Sequence, residues 1–213
     1  MKTRCIFFMM VFALSFFKGL SQRLELEALV GPSLSYVRTG SRGPDQFPGK
    51  RLSVNAGLGL NYRLSAFYHV TTGLYYEQKG GGSVSGGTRT RLNYSYLTLP
   101  LQLSHRFGER IKYQLGAGLY VAYRVKERLI IEPVHMPGQY TNLNLNNGNP
   151  LDFGFAGFAA MYIPLGSAVS IKLSAQGNWG TVDTHSVYDP YAKYVKHSSL
   201  ALLAGVNYPL MRK

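Results

Sequence analysis

The stretch IKYQLGAGLYVAYRVK, residues 111–126, separates into two different faces when alternate residues are read together. Its odd-numbered positions, from Ile111 to Val125, are all apolar, whereas its even-numbered positions are polar, small or amphipathic. Because successive side chains of a β-strand point to opposite faces, this alternation predicts one strand with an apolar and a polar side. The strand is longer than those of ordinary globular proteins. Its apolar side therefore faces either a protein core or lipid.

The same alternation recurs in seven further segments, so that eight strands are predicted. The others are residues 24–37, 51–64, 67–79, 91–107, 151–163, 168–179 and 199–210. Short connections follow every second strand, and the longer ones are residues 39–50, 80–90, 127–150 and 180–198. This alternation of connection lengths is typical of outer-membrane barrels, which have short periplasmic turns and long outer loops. The sequence predicts an all-β, eight-stranded, antiparallel up-and-down transmembrane β-barrel, with a flexible glycine-rich hairpin loop at residues 79–87.

The spacing of aromatic residues distinguishes a membrane barrel from a soluble one. Tyr113 and Tyr123 share the apolar face of the quoted strand and lie ten residues apart. At roughly 3.4 Å per residue and a tilt near 40°, this separation is about 26 Å, close to the apolar band of outer-membrane barrels. We therefore expect the apolar face to contact lipid. The alternative is a soluble periplasmic barrel that binds apolar ligands and has its apolar faces inward.

The first residues have the layout of a secretory signal peptide. Lys2 and Arg4 precede the apolar run 6–17, which is too short to span a bilayer. We expect a signal peptide over residues 1–21 and one barrel domain over residues 22–213. Three of the 23 Lys and Arg residues lie in this signal, which leaves 20 against 10 Asp and Glu in the mature chain. A basic exported protein suggests an anionic partner such as lipid phosphates.

The predicted barrel interior is polar and narrow. Eight strands leave just enough interior space for side chains to fill, and charges removed from water need partners. We predict an interior polar network of Glu25, Glu27, Arg63, Arg106, Lys112 and Lys172. We expect one ion pair between a carboxylate and a cation of this network. The carboxylate is Glu25 or Glu27, and the cation is Arg63, Arg106 or Lys112. Inward-facing glycines should make room for the long basic side chains. We favour a closed structural interior over an ion-conducting path.

Three segments within the predicted strands resemble the outer membrane β-barrel domain family, in particular its PorT-like or "porin family" members from Bacteroides-like bacteria. They are YSYLTLPLQLSHRF (94–107), YQLGAGLYVAYRV (113–125) and LDFGFAGFAAMYIPLG (151–166), and the Leu-Pro-Leu-Gln run of the first is the most characteristic. The resemblance extends over residues 23–213. It implies an outer-membrane location, an eight-stranded barrel and no shared enzymatic activity.

One group of polar residues could support catalysis. Asp183, His185 and Ser186 lie together in the last long connection, as an acid, a base and a nucleophile would. Catalysis requires mutual hydrogen-bond geometry, however, and three polar residues in a polar loop are common. We expect no enzymatic activity, although a surface enzyme acting on lipid A or peptides remains the alternative. The histidines are too scattered for a recognisable metal site, and no cofactor is expected.

Basic residues concentrate near the predicted outer ends of the strands. The candidate lipopolysaccharide-binding rim comprises Arg38, Arg51, Arg89, Arg91, Arg124 and Lys126. Lipopolysaccharide phosphates lie at this level, and arginine contacts phosphate through two parallel hydrogen bonds. A solvated charged rim is the competing interpretation.

The third long connection contains two strand-like runs, RLIIEPV (128–134) and TNLNLNN (141–147). They could form a hairpin above the membrane whose exposed edge recruits another envelope protein by strand addition. The sequence thus predicts an integral outer-membrane barrel with a structural or surface-recognition role. Its expected partners are outer-membrane lipid, lipopolysaccharide and another envelope protein, and not nucleic acid.

Overall fold

The computed structural model describes residues 24–41, 49–136, 138–144, 149–166, 169–184 and 192–210. Within them are nine strands, which are β1 (Leu24–Ser41), β2 (Arg51–Arg63), β3 (Tyr68–Ser85), β4 (Thr88–Phe107), β5 (Lys112–Pro133), β6 (Thr141–Asn144), β7 (Leu151–Leu165), β8 (Val169–Gly180) and β9 (Ala192–Pro209). Of the described residues, none forms a helix long and apolar enough to span a membrane. The predicted signal peptide lies outside the described ranges.

Eight of these strands form a closed antiparallel barrel. Around the wall they follow chain order, with β5 next to β7, and β9 pairs back with β1. Closure leaves no open edge, so the backbone N–H and C=O groups of the wall pair between strands even where the surface is apolar. The predicted eight-stranded up-and-down barrel is confirmed. The short β6 pairs with β5 only at residues 128–131, above the wall.

The outer face of the wall is apolar and carries aromatic residues at two levels. Tyr76, Leu97 and Tyr123 are register partners at the upper level, and Phe107 pairs with Tyr113 at the lower level. The apolar residues between these levels are exposed, whereas the polar residues alternating with them are buried inside. This arrangement is the reverse of a soluble barrel. The alternative of a soluble barrel with inward apolar faces is therefore wrong.

The strands continue farther at the outer end than their sequence pattern indicates. β3 and β4 stay paired up to Ser85 and Thr88, and β5 continues alongside β4 to Pro133. The connecting turn consists of Gly86 and Gly87, whose φ angles of 56° and 76° suit a tight two-residue hairpin turn. The hairpin predicted at residues 79–87 is present, but the prediction that it is flexible is wrong, because pairing with neighbouring strands compensates for the weak strand propensity of glycine.

A β-bulge interrupts the alternation of β5. Ser95 pairs with Lys126 but Tyr96 pairs with Arg124, so that Val125 is an additional residue in β5. Beyond the bulge the inner face passes from even-numbered to odd-numbered residues, as expected when one residue is inserted into a strand. Lys126 is consequently exposed, although simple alternation places it inside, and Glu127 is buried.

The outward position of Leu119, between Tyr113 and Tyr123, leads to a testable prediction. Leu119→Arg would place a charge in the middle of the apolar band, where it should lower the free energy of unfolding by about 2–4 kcal/mol. The matched control is Val84→Arg, because Val84 is also exposed but lies on the hairpin above the band, where the cost should be below about 1 kcal/mol. Urea unfolding in lipid vesicles measures both values. Equal losses would contradict a lipid-facing β5.

Candidate functional site: the barrel interior and the basic outer rim

The lower part of the interior, near the short turns, contains a bidentate ion pair across the barrel. The guanidinium of Arg106 on β4 donates to both carboxylate oxygens of Glu25 on β1, at 2.8 Å and 2.9 Å. Its Nε donates to Gln114 on β5 at 3.0 Å. Two parallel hydrogen bonds between fixed planar groups constrain geometry more than a point charge does. This contact therefore links three strands at the base of the barrel.

A second ion pair is completely buried beside the first. Lys172 on β8 lies 2.7 Å from Glu27 on β1, and neither side chain is exposed. The second oxygen of the Glu27 carboxylate accepts hydrogen bonds from Asn61 at 3.0 Å and from the Tyr162 hydroxyl at 2.9 Å. Because both oxygens accept hydrogen bonds from donors, these contacts offset the free-energy cost of removing the charged carboxylate from water.

An apolar layer lies on the inner face between the lower and upper polar groups. It consists of Leu29, Tyr75, Ala201 and Leu203, which pack together and are buried. A Cβ at Gly57 would collide with the ring of Tyr75. The glycine here makes room for an aromatic ring, so the expectation that inner glycines accommodate basic side chains is wrong at this position.

The upper part of the interior contains a third charge cluster. The amino group of Lys79 lies 3.0 Å from Asp152 and 3.5 Å from Glu77, and the Tyr120 hydroxyl donates to Asp152 at 3.0 Å. The same amino group lies 5.0 Å from the centre of the Tyr96 ring, within cation–π range. The predicted network omits this cluster. The inward positions of its members followed from alternation, but their contact depends on the register of strands that face each other across the interior.

The structure does not bring all the predicted network residues together. Glu25, Glu27, Arg106 and Lys172 form the two lower pairs, whereas Arg63 and Lys112 are exposed at the end of the barrel that carries the short turns. Among the described residues, neither of these two forms an ion pair. They lie at strand ends, where water can solvate them and no buried partner is required.

Two of the predicted rim residues, Arg124 and Arg38, are less exposed than the sequence predicted. Arg124 is buried on the inner face, as its even number in β5 requires, and it lies 2.9 Å from Glu127, which the bulge at Val125 brings inside. Its assignment to the lipopolysaccharide-binding rim is therefore wrong. Arg38 is half-buried and donates to the carbonyl oxygen of Gly180 at 2.6 Å, which directs it along the wall.

Three of the other four predicted rim residues lie on the outside. Arg89, Arg91 and Lys126 are exposed on β4 and β5, above the upper aromatic level. Arg51 is half-buried at the start of β2. The exposed Arg128 adds a further cation, because it pairs with Asn93 immediately above the pair formed by Ser95 and Lys126. These outward cations lie directly above a lipid-facing surface.

Comparison with known proteins identifies the family. Residues 16–212 match the family described as "Outer membrane protein beta-barrel domain". The chain belongs to this family. It is therefore an outer-membrane protein, and the apolar wall described above is the surface that contacts lipid.

Solved structures of low sequence identity share the fold of this outer-membrane barrel. Neisserial surface protein A is 13% identical, with a TM-score of 0.51 over 87% of this chain and 96% of that one. The outer membrane protein OprG from Pseudomonas aeruginosa is 10% identical, with a TM-score of 0.52 over 88% of this chain and 96% of that one. Comparison with curated proteins gives no match. At these identities the likeness extends to the fold alone.

The candidate catalytic group is only partly within the described residues of the barrel. Asp183 accepts a hydrogen bond from the backbone N–H of Val195 at 2.8 Å, which fixes the chain beside the upper part of β9. His185 and Ser186 lie outside the described ranges. Among the described residues, no group of three or more His, Cys, Asp or Glu side chains could hold a metal ion.

The buried pair of Glu27 and Lys172 leads to a second prediction. Lys172→Met should lower the free energy of unfolding by about 3–5 kcal/mol, because it leaves a buried carboxylate without its cation. The double variant Glu27→Gln, Lys172→Met should recover most of this loss, since the glutamine still accepts from Asn61 and Tyr162 without a charge. Urea unfolding of both variants in vesicles tests the difference. A double variant as unstable as the single one would contradict the pairing.

Proposed function

We propose that this outer-membrane barrel has a structural and surface-recognition role, in which exposed basic residues bind lipopolysaccharide phosphates, and that it has no enzymatic activity. The observation that supports this role is the basic rim, defined here as Arg89, Arg91, Lys126 and Arg128. All four are exposed on β4 and β5; Lys126 and Arg128 lie immediately above the upper aromatic level, and Arg91 and Arg89 continue the row farther out along β4.

The lower part of the basic rim matches the height of the lipid phosphates. Tyr123 marks the upper end of the apolar band, and Lys126 follows it after the bulge. Headgroups extend only several ångströms beyond each side of the hydrocarbon core, so Lys126 and Arg128 lie at or near headgroup level, with Arg91 and Arg89 farther out. Arginine is suited to phosphate because its planar donors form two parallel hydrogen bonds. A barrel that binds these phosphates would fix its own height and orientation in the outer leaflet.

The packed interior supports a closed barrel and not a channel. The ion pairs of Glu25 with Arg106 and of Glu27 with Lys172 lie below the apolar layer, and that of Lys79 with Asp152 lies above it. An ion crossing the barrel would have to separate several desolvated pairs, each of which is costly to break. We infer that the interior stabilises the barrel and conducts no ions.

A protein partner is the second candidate, and the edge of β6 favours it. β6 pairs with β5 at residues 128–131, and within the described ranges no strand pairs with its other edge. Such an edge could accept a strand of another envelope protein through backbone hydrogen bonds. At four residues β6 offers few of these bonds. The rim therefore remains the stronger candidate.

We also infer that, within its family, the chain is a PorT-like member of the type found in Bacteroides-like bacteria. The segments 94–107, 113–125 and 151–166 support this assignment, and they form much of β4, β5 and β7. No export or motility role is transferred with it.

The experiment that tests the rim compares two triple variants with the same loss of charge. The first carries Arg91→Gln, Lys126→Gln and Arg128→Gln on the rim. The control neutralises three exposed cations at the other end of the barrel, Arg63, Arg110 and Lys112. Each purified barrel is reconstituted in vesicles containing lipopolysaccharide, and co-purified lipopolysaccharide phosphate is measured after detergent extraction.

We expect the rim variant to retain several-fold less lipopolysaccharide than the wild type, because charge-assisted hydrogen bonds to phosphate are lost. The control should retain the wild-type amount. Retention should also fall as salt concentration rises, since exposed charges are screened. Equal retention by both variants would overturn the proposed function. A heat-dependent shift in gel mobility verifies that each variant is folded.

A further inference from the structure

The wall of the barrel contains a gap between β2 and β3 above the membrane level. Their register ends at the pair of Ala56 and Tyr76, although both strands continue upward. Beyond this point side chains replace the missing backbone hydrogen bonds. Ser53 donates to the Gln78 carbonyl at 2.8 Å, and the Asn55 side chain accepts from the Gln78 N–H at 3.3 Å. The two strands are therefore held slightly apart.

A cleft of about 660 Å³ opens above this gap. One side is formed by residues 49–52, and the other by the outer hairpin of β3 and β4 at residues 81–84 and 89–91. The backbones of Gly49 and Gly82 meet through hydrogen bonds of 2.9 Å and 3.3 Å, which join the two sides. A volume of this size suits a small ligand or a lipid headgroup.

The charge of the cleft is strongly positive. Lys50, Arg51, Arg89 and Arg91 line it, and none of its described lining residues is acidic. Beside the cleft, the Glu132 carboxylate lies 3.7 Å from Arg91 and 4.0 Å from Arg89. One carboxylate shared by two half-exposed guanidinium groups does not balance four cations. The cleft therefore favours an anion with more than one negative charge.

Arg51 is held in place at the lower end of the cleft. It donates to the Lys79 carbonyl at 3.2 Å and to the side-chain oxygen of Gln78 at 3.2 Å. These bonds use two of the five N–H donors of the guanidinium, so that donors remain for a ligand. A side chain already fixed by the protein loses less conformational entropy on binding. Arg51 is thus a preorganised anion-binding group.

Apolar side chains lie beside these cations. Leu52 is 74% exposed and Val84 is 64% exposed, and both line the cleft. A free inorganic anion would leave these two side chains in contact with water. An amphiphile with a phosphorylated head would cover them and would satisfy the cations at the same time.

We propose that this cleft binds one molecule of lipid A through the phosphates of its disaccharide head, while the acyl chains remain in the membrane beside the wall. The inference rests on the proposed lipopolysaccharide-binding function and assigns it a discrete site. The rim residues Lys126 and Arg128 do not line the cleft. They would add a less specific attraction, whereas the cleft would set the stoichiometry.

The test compares two double variants of the full-length barrel in detergent. In the cleft variant, Lys50→Gln and Arg89→Gln remove two lining charges but leave the anchored Arg51 intact. In the matched control, Lys126→Gln and Arg128→Gln remove two exposed charges outside the cleft. Native mass spectrometry counts bound ligand during titration with three probes, which are diphosphorylated lipid A, lipid A without phosphates, and inorganic phosphate. The heat-dependent gel shift confirms folding.

We expect the wild type to bind one diphosphorylated lipid A per barrel, and the cleft variant to bind it about tenfold more weakly. The control should lose threefold or less, and neither dephosphorylated lipid A nor inorganic phosphate should bind comparably. Equal weakening of both variants, or binding without a defined stoichiometry, would overturn the site. Saturable binding of inorganic phosphate alone would overturn its lipid specificity.

The rim and cleft experiments have separable failures. Loss of lipopolysaccharide retention by the triple rim variant, together with no discrete lipid A binding, would sustain the proposed function and refute the cleft. Because Arg91 belongs to both the rim and the cleft, unchanged retention by the triple rim variant would refute the proposed function and the cleft together.

Discussion

The absence of hydrogen-bonding partners in lipid is the constraint on which this structure depends. A backbone that crosses a membrane must pair all its N–H and C=O groups internally, and a sheet can do so only by closing on itself. The pairing of β9 with β1 completes that closure. It also commits every second residue to a narrow interior. Closure thus divides the strand residues into two sets. Those that face lipid must be apolar, and the polar residues of the strands are therefore placed on the inner face.

The interior resolves a conflict that closure creates. Polar side chains that do not face lipid must still be satisfied in a space with little room for water. Glu27 shows the solution, since Lys172, Asn61 and Tyr162 reach the same carboxylate from three other strands. Such contacts tie together strands that are not neighbours in the wall. The backbone ladder thus defines the circumference, and the interior side chains hold opposite sides of the barrel together.

Alternation with a period of two predicted the barrel strands, their faces and the aromatic levels at Tyr113 and Tyr123, because lipid imposes that pattern directly. The bulge at Val125 could not be predicted in this way, since inserting one residue leaves composition and hydrophobicity almost unchanged. It determines that Lys126 is outside and Glu127 inside. The contact of Lys79 with Asp152 could not be predicted either. Its members could be assigned to the inner face, but the sequence does not specify which residues oppose each other across the interior.

The paired outer hairpin determines what an antibody would recognise on the outer end of this protein. With β3 and β4 bonded as far as Ser85 and Thr88, the most distant part of this hairpin is folded sheet and not a flexible loop. Its exposed side chains form a surface of fixed shape, held by the pairing of β3 with β4 and of β4 with β5. An antibody against it would recognise a conformational epitope that disappears on denaturation. A linear peptide copied from residues 80–90 would be a poor immunogen for the native protein, because it lacks the neighbouring strands that hold this shape.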